Sequence, residues 1–108
     1  MTRQAPLGEF EQLILLAAVR LGDQAYGASI RREVETRTGR SVARGAVYTT
    51  LDRLEAKHLL ESAPGAASDG RAHRRYYEVT SRGIDRLREA AAAVRSLWSG
   101  LESVLGER

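Results

Sequence analysis

The sequence predicts a mainly helical α+β domain, a winged helix-turn-helix that continues into one long final helix. Three observations predict it. Apolar residues recur at helical spacing in four separate segments. A turn-rich stretch divides two short segments that are typical of a β-hairpin. The elements follow in the order helix, helix, helix, hairpin, helix, so we expect a winged helix-turn-helix domain over residues 1–79 and a long final helix over residues 80–108, a fold that can serve DNA or protein partners.

Length and composition limit the classes of protein to consider. The chain has 108 residues, enough for one domain with a modest core. It has no cysteine, which excludes disulfides and metal sites built on sulfur. No stretch approaches ~18 consecutive apolar residues, and the first eight residues do not resemble a secretion signal. We therefore expect a cytoplasmic protein with no membrane partner.

The first three helices are predicted over residues 9–21, 26–37 and 45–57. Gly22 ends the first helix, and Gly39 follows the end of the second. Each helix has apolar positions three and four residues apart, which predicts one buried face. The residues expected to point inward are Phe10, Leu13, Ile14, Ala17, Ala18, Leu21, Tyr26, Ile30, Val34, Val47, Leu51 and Leu54.

Residues 59–63 and 75–79 are predicted to form the two strands of the hairpin, with a long Gly- and Pro-containing tip between them. Because side chains alternate along a strand, Tyr77 should point into the core and Tyr76 away from it. Thr80 follows the second strand. Its hydroxyl is expected to cap the final helix by accepting a backbone N–H of the first turn.

The final helix is predicted over residues 80–105, where apolar residues alternate in steps of three and four. A helix of that length would measure roughly 39 Å, more than a domain this small can cover. We expect its first half to pack internally and its second half to pair with another copy of the chain. Two copies of Trp98 could then form an apolar slot for a small planar aromatic effector. The predicted dimer seam is Ile84, Leu87, Ala91, Val94, Trp98, Leu101 and Leu105.

The net charge of +3 is unevenly distributed. Residues 1–70 are neutral overall, whereas residues 71–88 carry six basic and two acidic side chains. Of the 17 basic residues 16 are arginine, whose planar fork suits phosphate. Two clusters contain no acidic residue. One lies before the third helix and one on the hairpin, and they comprise Arg37, Arg40, Arg44 and Arg71, His73, Arg74, Arg75.

The third helix is predicted to present an outer stripe of Ala46, Thr49, Thr50 and Arg53, with Tyr48 beside it. Small side chains let a helix approach base edges, and an arginine can bind guanine or phosphate in a bidentate manner. A solvated amphipathic helix gives the same pattern, so the stripe alone does not distinguish the two.

In a winged helix both basic clusters lie on the side of the third helix, which predicts that this side binds double-stranded DNA. The alternative is a protein–protein interaction module whose basic face binds an acidic partner. No glycine-rich phosphate loop, catalytic triad or metal-ligand spacing is present, so we expect neither an enzyme nor a cofactor. The expected DNA contacts are Arg40, Arg44, Ala46, Tyr48, Thr49, Thr50, Arg53, Arg71, His73, Arg74 and Arg75.

Several motifs resemble the PadR family of bacterial transcriptional regulators. They are the Tyr-Gly pair at 26–27, the GAVYTTLDRLE segment at 45–55, the Leu pair at 59–60, the Gly-Arg pair at 70–71 and the YEVTSRG segment at 77–83. The likeness runs from about residue 7 to residue 105. It implies a dimeric repressor at a palindromic operator, and the final helix would dimerise as in the short subgroup of the family.

The resemblance also implies roles for single residues. Tyr48 would contact phosphate, the helix face around Ala46, Thr49 and Arg53 would read the major groove, and Arg71 would reach the backbone or the minor groove. The sequence departs from the family pattern at two places. Ala43 stands where a hydroxyl residue is common, and His58 stands where glycine is usual.

Overall fold

The computed structural model describes residues 5–65 and 74–106, which contain four α-helices and one antiparallel hairpin. The order and type of the elements confirm the fold expected from the sequence. The first helix and second strand have the predicted bounds, and the next two helices and the first strand differ by one residue. The elements are α1 (Glu9–Leu21), α2 (Gly27–Thr38), α3 (Arg44–Ala56), β1 (Leu60–Pro64), β2 (Arg75–Val79) and α4 (Ser81–Trp98).

The core lies between α1, α2, α3 and the hairpin. All three residues predicted to form the inner face of α3 are fully buried. Leu15 is also fully buried although its position was not expected to be, because α1 contacts α2, α3, β2 and α4 and is covered over a wide arc. The largest fully buried side chains are Ile14, Leu15, Ile30, Val47, Leu51, Leu54, Leu59 and Leu60.

The hairpin is attached to the helices through β2. Tyr77 points into the core, as predicted, and its backbone N–H donates to the carbonyl of Ala25 at 2.8 Å. The residues just before α2 therefore extend the edge of the sheet. Burial, followed by the negative charges of Glu55 and Asp52, raises the pKa of the Tyr77 phenol. The phenol consequently stays neutral in the core.

The start of α4 is fixed at the corner between α3 and β1. The Thr80 hydroxyl accepts a hydrogen bond from the Gly83 N–H at 3.0 Å, which confirms the predicted cap, and it donates to the His58 carbonyl at 2.8 Å. His58 adopts the left-handed conformation (φ 63°) that glycine usually occupies. Gly83 packs directly on the Leu59 carbonyl, so a Cβ at this position would collide with backbone. The corner thus sets the direction of α4.

The prediction that α4 continues to residue 105 is wrong. The helix ends at Trp98, and its 18 residues measure roughly 27 Å. Ser99 leaves the helical conformation and Gly100 has a positive φ of 85°, which turns the chain away from the helix axis. Leu101 and Leu105 therefore lie beyond the helix rather than on one continuous seam with Trp98.

Glu11 is a buried carboxylate on α1 that links α1 to the end of α3. Its Oε1 accepts from the Gly8 N–H at 3.0 Å and its Oε2 accepts from Lys57 Nζ at 2.9 Å. Burial raises the pKa of Glu11, but the hydrogen bonds from Lys57 and Gly8 outweigh it, so the pKa is lowered overall. The charged form of Glu11 therefore stabilises the folded state.

We predict that Glu11→Gln lowers the free energy of unfolding at neutral pH by about 1 kcal/mol, since it removes a charge-assisted hydrogen bond. A lowered pKa means that this contribution is present above the ordinary value of 4.5 and is lost as the pH falls through the lower folded-state value. The difference between the two proteins should shrink in acid, as measured by urea unfolding. Lys57→Met should reproduce the trend, and a difference independent of pH contradicts the account.

Candidate nucleic-acid interface

The outer stripe predicted for α3 needs one correction. Thr50 is only 4% exposed, so its assignment to the contact surface is wrong. Thr50 follows Val47 by three residues and precedes Leu54 by four, and such residues share one face of a helix. Thr50 therefore belongs to the core side of α3, next to the residues that anchor the helix.

The exposed face of α3 is centred on Gly45, Thr49 and Asp52, directly opposite the core stripe. Gly45 and Asp52 were missed from the sequence. The sequence contains the information needed to find them. At 3.6 residues per turn, the spacing alone identifies the residues that lie opposite the centre of the core stripe. Gly45 has no side chain and leaves room at this surface. The Asp52 carboxylate and the Thr49 hydroxyl are groups of the kind that bind base edges.

The other predicted residues of α3 lie on the two flanks of this face. Ala46 and Arg53 lie on the side towards α1, where Ala46 lines a shallow groove with Phe10. The positive charge of Arg53 also contributes to the lowered pKa of Glu11. Tyr48 lies on the opposite flank, towards the start of α2, and is 38% exposed. The contact face is therefore bordered by a cation on one side and an aromatic ring on the other.

The arginines of the first basic cluster have different neighbours. Arg37 bonds to Glu33 within α2 at 2.9 Å. Arg40 donates two bonds to the Glu9 carboxylate, at 3.1 and 3.3 Å, and these hydrogen bonds together with its charge lower the pKa of Glu9. Both arginines are thus engaged in exposed ion pairs with acidic residues.

Arg44, the last member of this cluster, is the first residue of α3. Its guanidinium lies over the Tyr48 ring, 5.6 Å from the ring centroid. The Tyr48 ring in turn packs on Gly27 at the start of α2, so closely that a Cβ there would come within 2.6 Å of Cε1. The N-cap residue before the helix is Ala43, whose methyl group offers no capping oxygen. Arg44 is therefore oriented by α2 through the ring of Tyr48.

The base of the hairpin repeats this arrangement. The Arg74 guanidinium lies over the ring of Tyr26, 4.1 Å from its centroid, and its Nη1 donates to the Tyr76 hydroxyl at 3.3 Å. The two tyrosine rings meet edge to face, with centroids 5.4 Å apart. Tyr26 immediately precedes Gly27, so the ring under Arg74 and the residue that packs against the ring under Arg44 are neighbours at the start of α2.

These contacts bring one arginine from each basic cluster to the same end of α2. Arg44 reaches it through Tyr48 and Arg74 reaches it through Tyr26. Arg75 points to the other face of β2 from Tyr76, and its Nε donates to Ser62 at 3.1 Å. The predicted contacts Arg71 and His73 lie outside the described residues.

The residues of the predicted seam fall into two groups. Ile84 and Leu87 are partly buried, and Leu87 packs against the core of its own domain. From Ala91 onwards the seam is exposed, including Val94 and Trp98. Leu97 and Val104, at 78% and 77% exposed, add apolar surface that the seam did not include. The second half of α4 and the residues that follow it thus carry several exposed large apolar side chains.

Within residues 5–65 and 74–106, no three histidine or acidic side chains are grouped so that they could hold a metal ion. None of the described helices is long and apolar enough to cross a membrane.

The sequence matches the family model described as transcriptional regulator PadR-like family over residues 15–89. An uncharacterized protein of Lysinibacillus sphaericus is 35% identical over 78 residues, which are 70% of this chain and 69% of that protein.

Solved structures give the same result for the fold. A PadR family transcription regulator from hypervirulent Clostridium difficile is 26% identical, with a TM-score of 0.70 over 87% of this chain and 97% of that chain. A winged-helix DNA-binding protein from STIV is 16% identical, with a TM-score of 0.71 over 89% of this chain and 98% of that chain. At that identity the second likeness concerns the fold alone, and it confirms the winged helix.

We predict that Gly27→Ala costs about 1 kcal/mol of stability, because the new methyl group displaces the half-exposed Tyr48 ring. In a Tyr48→Ala background the same change should cost nothing or stabilise, since alanine is favoured over glycine in a helix. Chemical unfolding of the four proteins measures this coupling. Equal effects of Gly27→Ala in both backgrounds would show that the ring does not pack there.

Proposed function

This chain belongs to the transcriptional regulator PadR-like family, and we propose that it binds double-stranded DNA sequence-specifically as a homodimer and represses transcription from a palindromic operator. The observation that carries the DNA-binding proposal is the pair of stacked arginines at the start of α2. Arg44 and Arg74 come from clusters 30 residues apart in sequence. The Tyr48 ring under Arg44 packs on Gly27, and the ring under Arg74 is that of the preceding residue, Tyr26. Arg44 and Tyr48 border the exposed face of α3 on the side towards α2.

The proposed binding mode divides the side chains by role. Arg44, Tyr48 and Arg74 bind phosphates, since a guanidinium held on an aromatic ring is oriented before DNA arrives. Thr49 and Arg53 reach base edges in the major groove, and Ala46 permits the close approach. Asp52, added by the structure, supplies an acceptor for a cytosine amino group.

Four further contacts remain part of the proposal. Arg40 and Arg75 would bind the DNA backbone at the margins of the surface, where Arg40 must exchange Glu9 for a phosphate. Arg71 and His73 would extend the contact along the hairpin. These contacts are nonspecific in character, because they involve phosphates and not base edges.

The proposed dimer forms through the exposed half of α4. The apolar surface at Ala91, Val94, Leu97 and Trp98 would be covered by the same surface of a second copy. Leu101 and Leu105, beyond the helix, would pack at its edge. Two-fold pairing would place the two α3 helices on half-sites about one turn of DNA apart, which is why the operator is proposed to be palindromic.

Trp98 supports a further part of the proposal. In the dimer its ring would line the apolar surface between the two copies, where a planar aromatic effector could stack and shift the spacing of the α3 helices. Binding of such an effector would then release the operator.

We predict that Arg53→Ala lowers discrimination between a duplex selected from a random library and a random duplex by about tenfold, because it removes a base contact. Arg74→Ala should weaken binding to both duplexes equally, because it removes a phosphate contact. Fluorescence anisotropy at fixed salt measures both effects. Arg88→Ala, which removes the same charge from an exposed site on α4, serves as the control.

If the chain is instead a protein–protein interaction module whose basic face binds an acidic partner, this experiment gives a different result. The wild-type chain would then bind no duplex selectively, and Arg53→Ala and Arg74→Ala would have the same small effect on DNA. Identical losses of discrimination in the two variants would contradict the division of roles.

We predict that Val94→Lys converts the protein to a monomer at micromolar concentration, because a buried charge at the proposed seam has no partner. Ala92→Lys is the matched control, since it adds the same charge about 200° away around the same helix. Sedimentation equilibrium distinguishes the two variants. A wild-type protein that is monomeric at these concentrations contradicts the proposed dimer.

A further inference from the structure

Val42, in the connection between α2 and α3, is held by hydrogen bonds at both of its peptide groups. The Arg31 Nε donates to the Val42 carbonyl at 2.7 Å, and the Val42 N–H donates to Glu35 Oε2 at 2.9 Å. The Val42 side chain is itself buried in the core, at 8% exposed. Both peptide groups and the side chain of this single residue are therefore fixed.

Arg31 and Glu35 also form an ion pair along α2, but that contact is the weaker of their interactions. The distance from Arg31 Nε to Glu35 Oε2 is 3.8 Å, beyond hydrogen-bond range, whereas both bonds to Val42 are short. Hydrogen bonds to ionised groups are about twice as strong as neutral ones. The geometry therefore assigns these side chains mainly to the backbone of Val42.

Val42 stands two residues before the first residue of α3, and it lies in a connection only a few residues long. Ala43, between them, provides no capping side chain that could orient the helix start. The direction in which α3 leaves the connection thus depends on the peptide groups at Val42. A change of a few degrees there would move Thr49 and Arg53 relative to the bases they are proposed to read.

We propose that Arg31 and Glu35 are positioning residues, which act through the peptide groups of Val42 to hold α3 at the angle required for sequence-specific binding. This inference rests on the proposed function, because it concerns the same contact surface. Under this inference Arg31 and Glu35 affect which DNA sequence is preferred, although neither side chain contacts the bases.

The sharpest test exchanges the two residues. Arg31→Glu with Glu35→Arg keeps the net charge and an ion pair of the same spacing on α2. It places a carboxylate beside the Val42 carbonyl and a guanidinium beside the Val42 N–H, so neither backbone bond can form. The matched control exchanges Asp85 and Arg88, an exposed pair at 3.5 Å on α4. Glu35→Gln, which keeps an acceptor oxygen, and Glu35→Ala, which does not, complete the set.

The measurement is the ratio of affinities for a selected and a random duplex, made well below the unfolding temperature of each variant. We expect the Arg31/Glu35 exchange and Glu35→Ala to lower the ratio by about tenfold, the effect of one lost base contact. Glu35→Gln and the Asp85/Arg88 exchange should stay within about threefold of the wild type. The salt dependence of binding should not change, because no phosphate contact is removed.

Three results would overturn the inference. The Arg31/Glu35 exchange could retain the full ratio of affinities, which would show that an ion pair on α2 is enough without the two hydrogen bonds to Val42. Alternatively, all variants could lose both kinds of binding equally, as unfolding alone would cause. A reduced salt dependence in the Arg31/Glu35 exchange but not in Glu35→Ala would make Arg31 a direct phosphate contact instead.

Hydrogen exchange at the Val42 amide separates this inference from the proposed function. If the wild-type chain does not discriminate between duplexes, the proposed function fails. The exchange rate of the Val42 amide still shows whether Arg31 and Glu35 hold the connection between α2 and α3. Faster exchange in Glu35→Ala and in the Arg31/Glu35 exchange, but not in Glu35→Gln, supports that role. Equal rates in all variants overturn it.

Discussion

The start of α2 is the place on which the rest of the surface depends, because three parts of the molecule pack against three consecutive residues there. Ala25 accepts a backbone hydrogen bond from β2, Tyr26 carries the Arg74 guanidinium, and Gly27 leaves room for the Tyr48 ring. A side chain at Gly27 would displace the Tyr48 ring from this point. One short segment therefore contacts the hairpin, the Arg74 guanidinium and the aromatic ring that borders α3.

The arginines also show why charge clustering alone is an incomplete guide to binding. The sequence groups Arg37, Arg40 and Arg44, yet two of these bond to carboxylates of α1 and α2. Arg31 lies in neither basic cluster, but its Nε donates a hydrogen bond to the carbonyl of Val42, just before α3. Acidic partners that are distant in sequence, such as Glu9, decide which guanidinium groups face solvent and which ones stabilise the fold. Periodicity and local charge do not contain that information.

Local patterns nevertheless predicted most of the fold. The bounds of α1 and β2 and the Thr80 cap follow from short-range rules of spacing and hydrogen bonding, and the structure confirms them. The burial of Thr50 follows from the same spacing, because Thr50 shares one face of α3 with Val47 and Leu54. The sequence prediction was wrong here because the polar hydroxyl of Thr50 favours an exposed position. The end of α4 depends on backbone conformations at 99–100, which an apolar pattern of threes and fours does not reveal.

The central claim is that Arg44 and Arg74 bind phosphates on one DNA duplex. The slope of log affinity against log salt concentration tests it most directly, because each neutralised phosphate contributes about −0.9. A dimer that contacts about four phosphates with each subunit should give a slope near −7, and removing both arginines from each subunit should reduce it to about −4. A wild-type slope near zero, or an unchanged slope in the Arg44→Ala, Arg74→Ala double variant, would contradict the claim.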